Sequence, residues 1–371
     1  MAVEMKGLHL KNGCLSLYVV CGIAFCVVCI AILIAIHLMA DKHQPSNISQ
    51  THAMKIDCMV KTTPVKNQGK SNLCWAYAML ATIESEHLMQ GDSVNLSPLY
   101  IGRMLLQDKA VKYYLTQGRQ PIKTRGMASM LLTLIQQYGI THYDAFHDDV
   151  NFNVLARKTQ KTAANCLAKQ KGLQQLKTSV SNMLDNNMHT VPKYVFMLGA
   201  EYTTLEFARS VCRSNEYIAL TSFTHHPFYQ QFVLEVPDNH NHDQFFNLPI
   251  DTLIHRVEQA LRNGHPVCWE GDISEPKFSF SKGMAQLEQD DKPVTQATRQ
   301  TMFERFDTTD DHCMELIGVA HADNGKKFFL CKNSWGSNNP FGGMMFVSEN
   351  YLRAKTIAVW MSNEALTRKY R

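Results

Sequence analysis

The spacing of apolar residues along the chain changes near Tyr217. Before that point, apolar side chains recur every three or four residues over 75–90, 99–115 and 127–138, which predicts three helices. Residues 151–190 are polar and rich in Lys, Gln and Asn, which is typical of exposed helices inserted into a domain. The first half of the chain is therefore predicted to be helical.

After Tyr217 the chain forms short apolar runs rich in β-branched and aromatic residues. One helix interrupts them, with Leu253, Val257 and Leu261 along one face. The predicted strands are 218–223, 231–236, 267–269, 314–320, 327–331 and 356–361. A helical half followed by a β half predicts an α+β fold.

A long apolar run near the N-terminus has no Asp, Glu, Lys or Arg between Cys14 and Ala40. About 20 such residues span a bilayer as a helix. Lys6 and Lys11 precede the run, so the positive-inside rule places the N-terminus in the cytoplasm. We therefore expect a single-pass protein that contacts membrane lipid and carries its folded domain outside the membrane, in the periplasm if the cell is bacterial.

Two alternatives remain for this run: a cleaved signal peptide, which would give a secreted protein, and a buried helix of a soluble fold. A signal peptide usually has an apolar core of about 7–15 residues and a small-x-small cleavage site, whereas this run is longer and no clean site follows it. The predicted organisation is a cytoplasmic tail (1–13), a transmembrane anchor (14–40), a polar stalk (41–57) and a folded domain (58–371).

The net charge of +4 is small for 371 residues, and no cluster of Lys and Arg is interleaved with aromatic residues. This argues against nucleic acid as a partner. Of the eleven cysteines, those outside the apolar run are Cys58, Cys74, Cys166, Cys212, Cys268, Cys313 and Cys331. This odd number fits one free thiol with three disulfides, and equally seven free thiols. No CxxC pair suggests zinc, and we predict no metal or other cofactor.

Two side chains suited to acyl transfer lie six residues apart, Gln68 and Cys74. Ser71 and Asn72 are residue types that cap helices and Gly91 is a typical stop, so we expect Cys74 at the N-terminus of a helix. The partial positive charge there lowers the pKa of a thiol and favours the nucleophilic thiolate. The Gln68 amide and the Cys74 backbone N–H could together bind an oxyanion.

A histidine and an asparagine with complementary chemistry lie near the other end of the chain. His312 opens the predicted strand 314–320, and Asn333 follows the next strand. A hairpin turned at 323–325 would bring the two side by side, so that the amide oxygen orients the imidazole ring. Trp335 could shield that hydrogen bond from water.

These segments resemble the papain family of cysteine peptidases, in which cysteine, histidine and asparagine follow in the same chain order. The similar segments are 63–69 and 74–76, around the oxyanion glutamine and the catalytic cysteine, and 332–336, around the asparagine. The His-Cys-Met sequence at 312–314 is similar to the bleomycin hydrolase / aminopeptidase C branch, as are 201–204, 224–228 and 234–239.

The resemblance covers about residue 58 to the end and implies a two-lobed papain-like fold. A helical left lobe (about 58–205) and an antiparallel β right lobe (206–371) would enclose the active site, with a helical insertion at about 150–200. It implies that Cys74 is the nucleophile, His312 its acid and base, Asn333 the residue that orients His312, and Gln68 an oxyanion donor. Gly126 would be part of the substrate-binding turn.

The chain departs from the papain pattern just before Cys74. Ser71 replaces a half-cystine, and Asn72 and Leu73 replace small residues. Glu315 lies on the strand of His312 and has no role in the predicted site.

We therefore expect a cysteine peptidase acting on peptide or protein substrates, as an aminopeptidase or a peptide-degrading enzyme. Two alternatives are a catalytically decayed peptidase fold that binds proteins and a Cys-His-Asn acyltransferase. Both exopeptidase and endopeptidase action are compatible with the sequence, and so are several oligomeric states.

Overall fold

The computed structural model describes residues 54–147, 149–197 and 199–367. The predicted tail and anchor, and most of the predicted stalk, lie outside the described residues, so the membrane anchor stays a prediction. None of the helices in the described part of the chain is long and apolar enough to cross a bilayer.

Five helices follow one another in the first half of the chain. They are α1 (Cys74–Gln90), α2 (Pro98–Leu115), α3 (Ala128–Tyr138), α4 (Phe152–Ala168) and α5 (Leu173–Asp185). The first three confirm the helices predicted from apolar spacing. α4 and α5 fill the stretch that we expected to hold exposed helices, but each buries one apolar face, including Leu155 and Leu176, and packs against α2. Both are therefore parts of the helical core.

Strands and short helices make up the remaining structure. The strands are β1 (Met54–Met59), β2 (Tyr194–Met197), β3 (Ala200–Thr203), β4 (Tyr217–Thr221), β5 (Gln231–Val233), β6 (Gln244–Asn247), β7 (Val267–Gly271), β8 (Phe278–Ser279), β9 (Met284–Ala285), β10 (His312–Ala322), β11 (Lys327–Lys332), β12 (Met344–Ser348) and β13 (Thr356–Ser362). The helices are α6 (Thr204–Val211), α7 (Ile250–Arg262), α8 (Gln296–Glu304), α9 (Glu349–Lys355) and α10 (Asn363–Thr367).

The main sheet has eleven strands, ten of them in the order β5-β6-β4-β13-β7-β10-β11-β12-β9-β8, and β1 pairs with β10. Most neighbours are antiparallel, whereas β4 with β6 and β9 with β12 are parallel. All six predicted strands are present, although the run 231–236 is shortened to Gln231–Val233. The strands β2, β3, β6 and β12 were not predicted. β8 and β9 were also missed, because two residues are too few to show an alternating pattern. The mixed α+β fold is confirmed.

The first strand, β1, begins at Met54, four residues before the expected start of the folded domain. It pairs antiparallel with β10, from Met54 opposite Ala322 to Met59 opposite Gly318. The end of the expected stalk is thus part of the main sheet. Most β1 side chains are exposed, so the sequence shows no apolar alternation that would have predicted a strand.

Helix α1 runs through the middle of the core, and Trp75 to Glu86 are all buried. The helix contacts α2 and α3 as well as β7 and β10, so it lies between the other helices and the main sheet. The predicted N-cap is wrong: the cap residue is Leu73, and the Ser71 hydroxyl donates instead to the Gln68 carbonyl oxygen, at 2.7 Å. Gly91 ends the helix as predicted, in the left-handed conformation with φ of 90°.

Candidate active site

Cys74 is the first residue of α1, and its side chain is half-buried. The Cys313 thiol donates a hydrogen bond to the Cys74 sulfur, which lowers the pKa of Cys74. Burial acts in the opposite direction, but the hydrogen bond and positive charge of His312 and the Cys313 backbone N–H add to the lowering, and the Cys74 pKa lies well below its usual range. The helix N-terminus acts in the same sense. These effects favour the thiolate form of Cys74, which lines a cleft.

His312 and Asn333 lie side by side because β10 and β11 form the predicted hairpin, in which Glu315 pairs with Lys332. Asn333 Oδ1 is 2.9 Å from His312 Nε2 and also accepts the Ser334 backbone N–H at 2.7 Å. Since Oδ1 is an acceptor, His312 Nε2 carries a proton, and Nδ1 is the ring nitrogen left for Cys74.

The hydrogen bond between His312 and Asn333 is shielded from water. Asn333 is 2% exposed, and the Trp335 ring lies 4.8 Å from the His312 ring, centroid to centroid. A buried hydrogen bond of this kind holds the imidazole in one orientation and one tautomer.

Gln68 is held at the edge of the same cleft. Its Oε1 accepts the Ser334 hydroxyl at 2.5 Å, and its Nε2 donates to the Ser71 carbonyl oxygen at 2.8 Å. The amide nitrogen carries two hydrogens, so one N–H remains for a ligand. The backbone N–H of Cys74, in the first turn of α1, has no acceptor within the helix. Gln68 and Cys74 both line the cleft, so these two donors are available on one surface.

Gly126 lies beside Trp75, and a Cβ atom there would approach Met130 Cε to 1.8 Å. A larger residue would require the flexible end of the Met130 side chain to move. Trp75 fixes the preceding turn by donating its indole N–H to the Thr124 carbonyl oxygen at 3.0 Å. Gly126 and Cys74 therefore line the same cleft.

The predicted site residues come together in one cleft of about 140 Å³. Gln68, Cys74, Gly126 and His312 line it, and Asn333 lies directly behind His312. Cys313 lines the cleft as well, and burial together with its hydrogen bond to Cys74 raises the pKa of Cys313 well above its usual range. A neutral thiol donor thus faces the Cys74 sulfur.

Glu315 belongs to a buried polar network behind the site. Its Oε2 accepts the Thr62 hydroxyl at 3.0 Å and lies 3.6 Å from Lys332 Nζ. Lys332 also donates to the Thr62 and Thr63 hydroxyls, both at 2.9 Å, and Thr63 in turn donates to Glu84 at 2.5 Å. The network joins the segment before α1 to α1, β10 and β11, which gives Glu315 a structural role.

Comparisons with known proteins give one family match and several similar structures. A sequence profile of the Peptidase C1-like family matches residues 196–371, a region that contains His312 and Asn333. PepW from Lactobacillus rhamnosis HN001 has a similar structure, with a TM-score of 0.65, 19% identity, and 84% of this chain and 82% of that chain covered. Bromelain from Ananas comosus gives a TM-score of 0.38 and 15% identity, with coverages of 81% and 94%. A search of proteins with curated descriptions finds no match.

The family match over 196–371 and the structural likeness to PepW support a cysteine peptidase with a mixed α+β, papain-like fold. The matched region ends at the chain terminus and excludes Gln68 and Cys74, which lie well before residue 196. The structure, and not the family match, therefore places Gln68 and Cys74 next to His312.

Each of the seven cysteines in the described part of the peptidase is free. The alternative of three disulfides with one free thiol is therefore wrong, and seven free thiols is right. Burial raises the pKa of Cys212 to about 12, and it raises that of Cys268 well above the usual range. Of Cys74, Cys212 and Cys268, only Cys74 has a lowered pKa, so it is the candidate nucleophile among these three.

The sequence did not predict the role of the acidic side chains of the cleft, Asp238, Glu270, Asp310 and Asp311. Glu270 directly follows the apolar strand predicted over 267–269, and Asp310 precedes His312 by two residues. Both positions could have been noticed, but nothing in the sequence places Asp238 next to them.

One group of side chains in the described residues has the composition of a metal site: His225, His226 and Glu235, whose ligand atoms lie within 4.8 Å. Gln300 Oε1 accepts the Thr224 backbone N–H at 2.7 Å, so its Nε2 faces His225 Nδ1 at 3.0 Å and donates to it. His225 Nε2 then carries the ring proton and bonds Glu235 at 3.3 Å. A protonated nitrogen is no metal ligand, so we assign no metal to this group.

Proposed function

We propose that the chain hydrolyses peptide bonds through a thioester on Cys74, with His312, Asn333 and Gln68 completing the site. The observation that carries this proposal is the placement of Cys74, at a helix N-terminus, against an imidazole whose other nitrogen is held by the buried Asn333. This arrangement supplies both a thiolate and a proton donor.

In the first half of the reaction, the Cys74 thiolate attacks the peptide carbonyl carbon, and a C–S bond forms. The resulting oxyanion accepts N–H bonds from Gln68 Nε2 and the Cys74 backbone, and loss of one such donor costs about 3 kcal/mol of transition-state stabilisation. The C–N bond then breaks as His312 Nδ1 gives its proton to the leaving amine.

In the second half, water attacks the thioester. His312 Nδ1 takes a proton from this water as the C–O bond forms. The C–S bond then breaks, the acid product leaves, and the Cys74 thiolate and His312 imidazolium are restored. Asn333 keeps the ring in the same orientation through both proton transfers.

Hydrolysis of aminoacyl fluorophores tests this function. Wild-type protein should release the fluorophore, and Cys74→Ala should lose that activity while Cys58→Ala keeps it. Cys58 is a suitable control because it is also half-buried, but burial raises its pKa. Equal activity of Cys74→Ala and wild type would refute the assignment of the nucleophile.

We further propose aminopeptidase action, which is supported by the resemblance of 201–204, 224–228 and 312–314 to the bleomycin hydrolase / aminopeptidase C branch. An aminoacyl fluorophore and its N-acetylated counterpart separate the possibilities. An aminopeptidase releases fluorophore from the first compound alone. Comparable cleavage of the acetylated compound would show that a free amine is not required.

We also propose that residues 14–40 anchor the peptidase in a membrane with its domain on the far side, as their uncharged apolar sequence supports. Full-length protein should stay in the membrane pellet after carbonate extraction, and protease added outside should digest its domain. A mature N-terminus beyond residue 40 would instead demonstrate a cleaved signal peptide.

A further inference from the structure

Four carboxylates line the catalytic cleft in addition to the residues with an assigned role. They are Asp238, Glu270, Asp310 and Asp311, and we call them the acidic wall. Asp238, Glu270 and Asp310 are 7%, 1% and 5% exposed, so they are almost removed from water. Apart from His312, Arg125 is the single basic side chain among the described residues that line the cleft.

Arg125 neutralises one carboxylate of the acidic wall. Its Nε lies 2.8 Å and 3.1 Å from the two Asp238 oxygens, and its Nη2 donates to the Asp310 carbonyl oxygen at 2.5 Å. The Asp310 carboxylate accepts the Asp238 backbone N–H at 2.8 Å. These bonds fix the two aspartates in place. The single positive charge of Arg125 does not balance the four carboxylates of the acidic wall when they are ionised.

Glu270 is the least satisfied member of the acidic wall. Its Oε2 atom is buried and has no hydrogen-bond partner. Glu270 lies on β7 directly opposite Cys313 of β10, next to the pair of Gly271 and His312, so the sheet register places it beside the catalytic residues. A buried acceptor without a donor destabilises the free protein, and a ligand that brings a donor removes this cost.

The carboxylates of the acidic wall also repel one another. Burial, with the charges of Asp310 and Asp238, raises the pKa of Glu270 well above its usual range. Burial and the charge of Asp310 raise the pKa of Asp238 to about 7, although Arg125 acts to lower it. A positive group placed among these carboxylates relieves their repulsion and favours their ionised form.

We propose that the acidic wall binds a positively charged group of the substrate, so that the peptidase selects peptides with a cation beside the scissile bond. An ammonium group offers three N–H donors and a guanidinium five, and either can reach the unpartnered Glu270 oxygen together with a second carboxylate. The cation is the α-ammonium of the first residue or a Lys or Arg side chain. The inference rests on the proposed peptidase function, because it takes a peptide as the ligand.

Calorimetric titration of full-length Cys74→Ala protein tests the inference without requiring turnover. The probes are three peptides: acetyl-norleucyl-alanyl-alanine amide, the same peptide with lysine for norleucine, and the norleucine peptide without its acetyl group. Lysine adds a side-chain cation, and removal of the acetyl group adds an α-ammonium. The three peptides are otherwise the same. At least one cationic peptide should bind about tenfold more tightly than the neutral one, as expected for a charged hydrogen bond. Equal affinity for all three would overturn the inference.

Variants of the acidic wall show whether it is the source of the preference. Glu270→Gln and Asp310→Asn, each in the Cys74→Ala background, should bring the affinity ratio of cationic to neutral peptide towards one. The control Asp291→Asn removes a fully exposed carboxylate outside the cleft and should keep the ratio. A ratio unchanged by both wall variants would overturn the inference. A loss of folding differs from these results, because it lowers the affinity for all three peptides.

The two proposals fail in distinguishable ways. If the Cys74→Ala protein prefers the cationic peptide but the wild-type chain hydrolyses no peptide bond, the peptidase function fails and the cation site stands. If wild type hydrolyses peptides and the three affinities are equal, the function stands and the cation site fails.

Discussion

At the residue scale, two neighbouring thiols of the cleft have opposite acid–base character. Cys74 has its pKa lowered by the Cys313 thiol, His312 and the Cys313 backbone N–H, against the effect of burial. Cys313 has its pKa raised by burial and by the bond to Cys74. The Cys313 thiol therefore keeps its proton over a pH range in which Cys74 ionises, and as a neutral donor it favours the Cys74 thiolate.

The pH dependence of alkylation should report this arrangement. A depressed pKa means that the Cys74 thiolate persists as pH falls, so its rate with iodoacetamide should decline only well below the value of an ordinary thiol, about 8.5. Cys313→Ala removes the donor and should move the midpoint upwards. The rate is followed by mass spectrometry of the peptide that contains Cys74.

Cys58 provides the internal reference for this measurement. Burial raises the pKa of Cys58, so its alkylation should rise only at more alkaline pH than that of Cys74. A single midpoint shared by Cys58 and Cys74 would contradict the proposed thiolate.

At the element scale, the site depends on the contact of α1 with β10 and on the polar network beneath it. Glu84, on α1, is fully buried and accepts from Lys66 Nζ at 2.5 Å and from the Leu96 backbone N–H at 2.6 Å. It also accepts the Thr63 hydroxyl at 2.5 Å. The network holds the segment that carries Gln68 against the helix that carries Cys74.

Removal of Glu84 should therefore destabilise the fold. Glu84→Ala leaves Lys66 as a largely buried cation without its partner, a change that typically costs about 3–5 kcal/mol in the free energy of unfolding. Glu349→Ala, which removes a partly exposed pair with Arg353 and Lys327, should cost about 1 kcal/mol or less. Urea denaturation measures both, and equal losses would show that the network adds no special stability.

The hairpin of β10 and β11 shows why half of the site was predictable. A strand opened by His312, a turn at 323–325 and a strand ended before Asn333 are all local in sequence, so pairing geometry alone predicts their contact. The N-cap of α1 was mispredicted although it is also local: Ser71 has the right residue type, but its hydroxyl donates to the Gln68 carbonyl oxygen instead of capping the helix.

At the scale of the whole molecule, distance along the chain limited what the sequence could predict. The acidic wall joins side chains from the region of Asp238, from β7 and from the segment before β10, so its members become neighbours only when the sheet is complete. Cys74 and Gln68 could be related to His312 only through the family resemblance. The chemistry of single residues and the pairing of neighbouring strands could be predicted from the sequence. The grouping of charges that lie far apart in the chain could not.

The start of the folded domain gives a test at this scale. A chain that begins at Met54 keeps the whole of β1, whereas one that begins at Cys58 loses the pairs of Met54, Lys55 and Ile56 with β10. Each lost backbone hydrogen bond costs about 1 kcal/mol, so the shorter chain should unfold at a lower temperature. Calorimetry of both truncated chains measures the difference, and identical melting temperatures would show that these strand residues are dispensable.

The central claim is that Cys74 is a nucleophile activated by His312, and covalent labelling tests it most directly. An epoxide that reacts with thiolates should add one molecule per wild-type chain, located on the Cys74 peptide by mass spectrometry. His312→Ala should slow the labelling strongly, because the thiolate loses its counter-charge. Absence of the adduct in wild type, or labelling that Cys74→Ala does not change, would contradict the account.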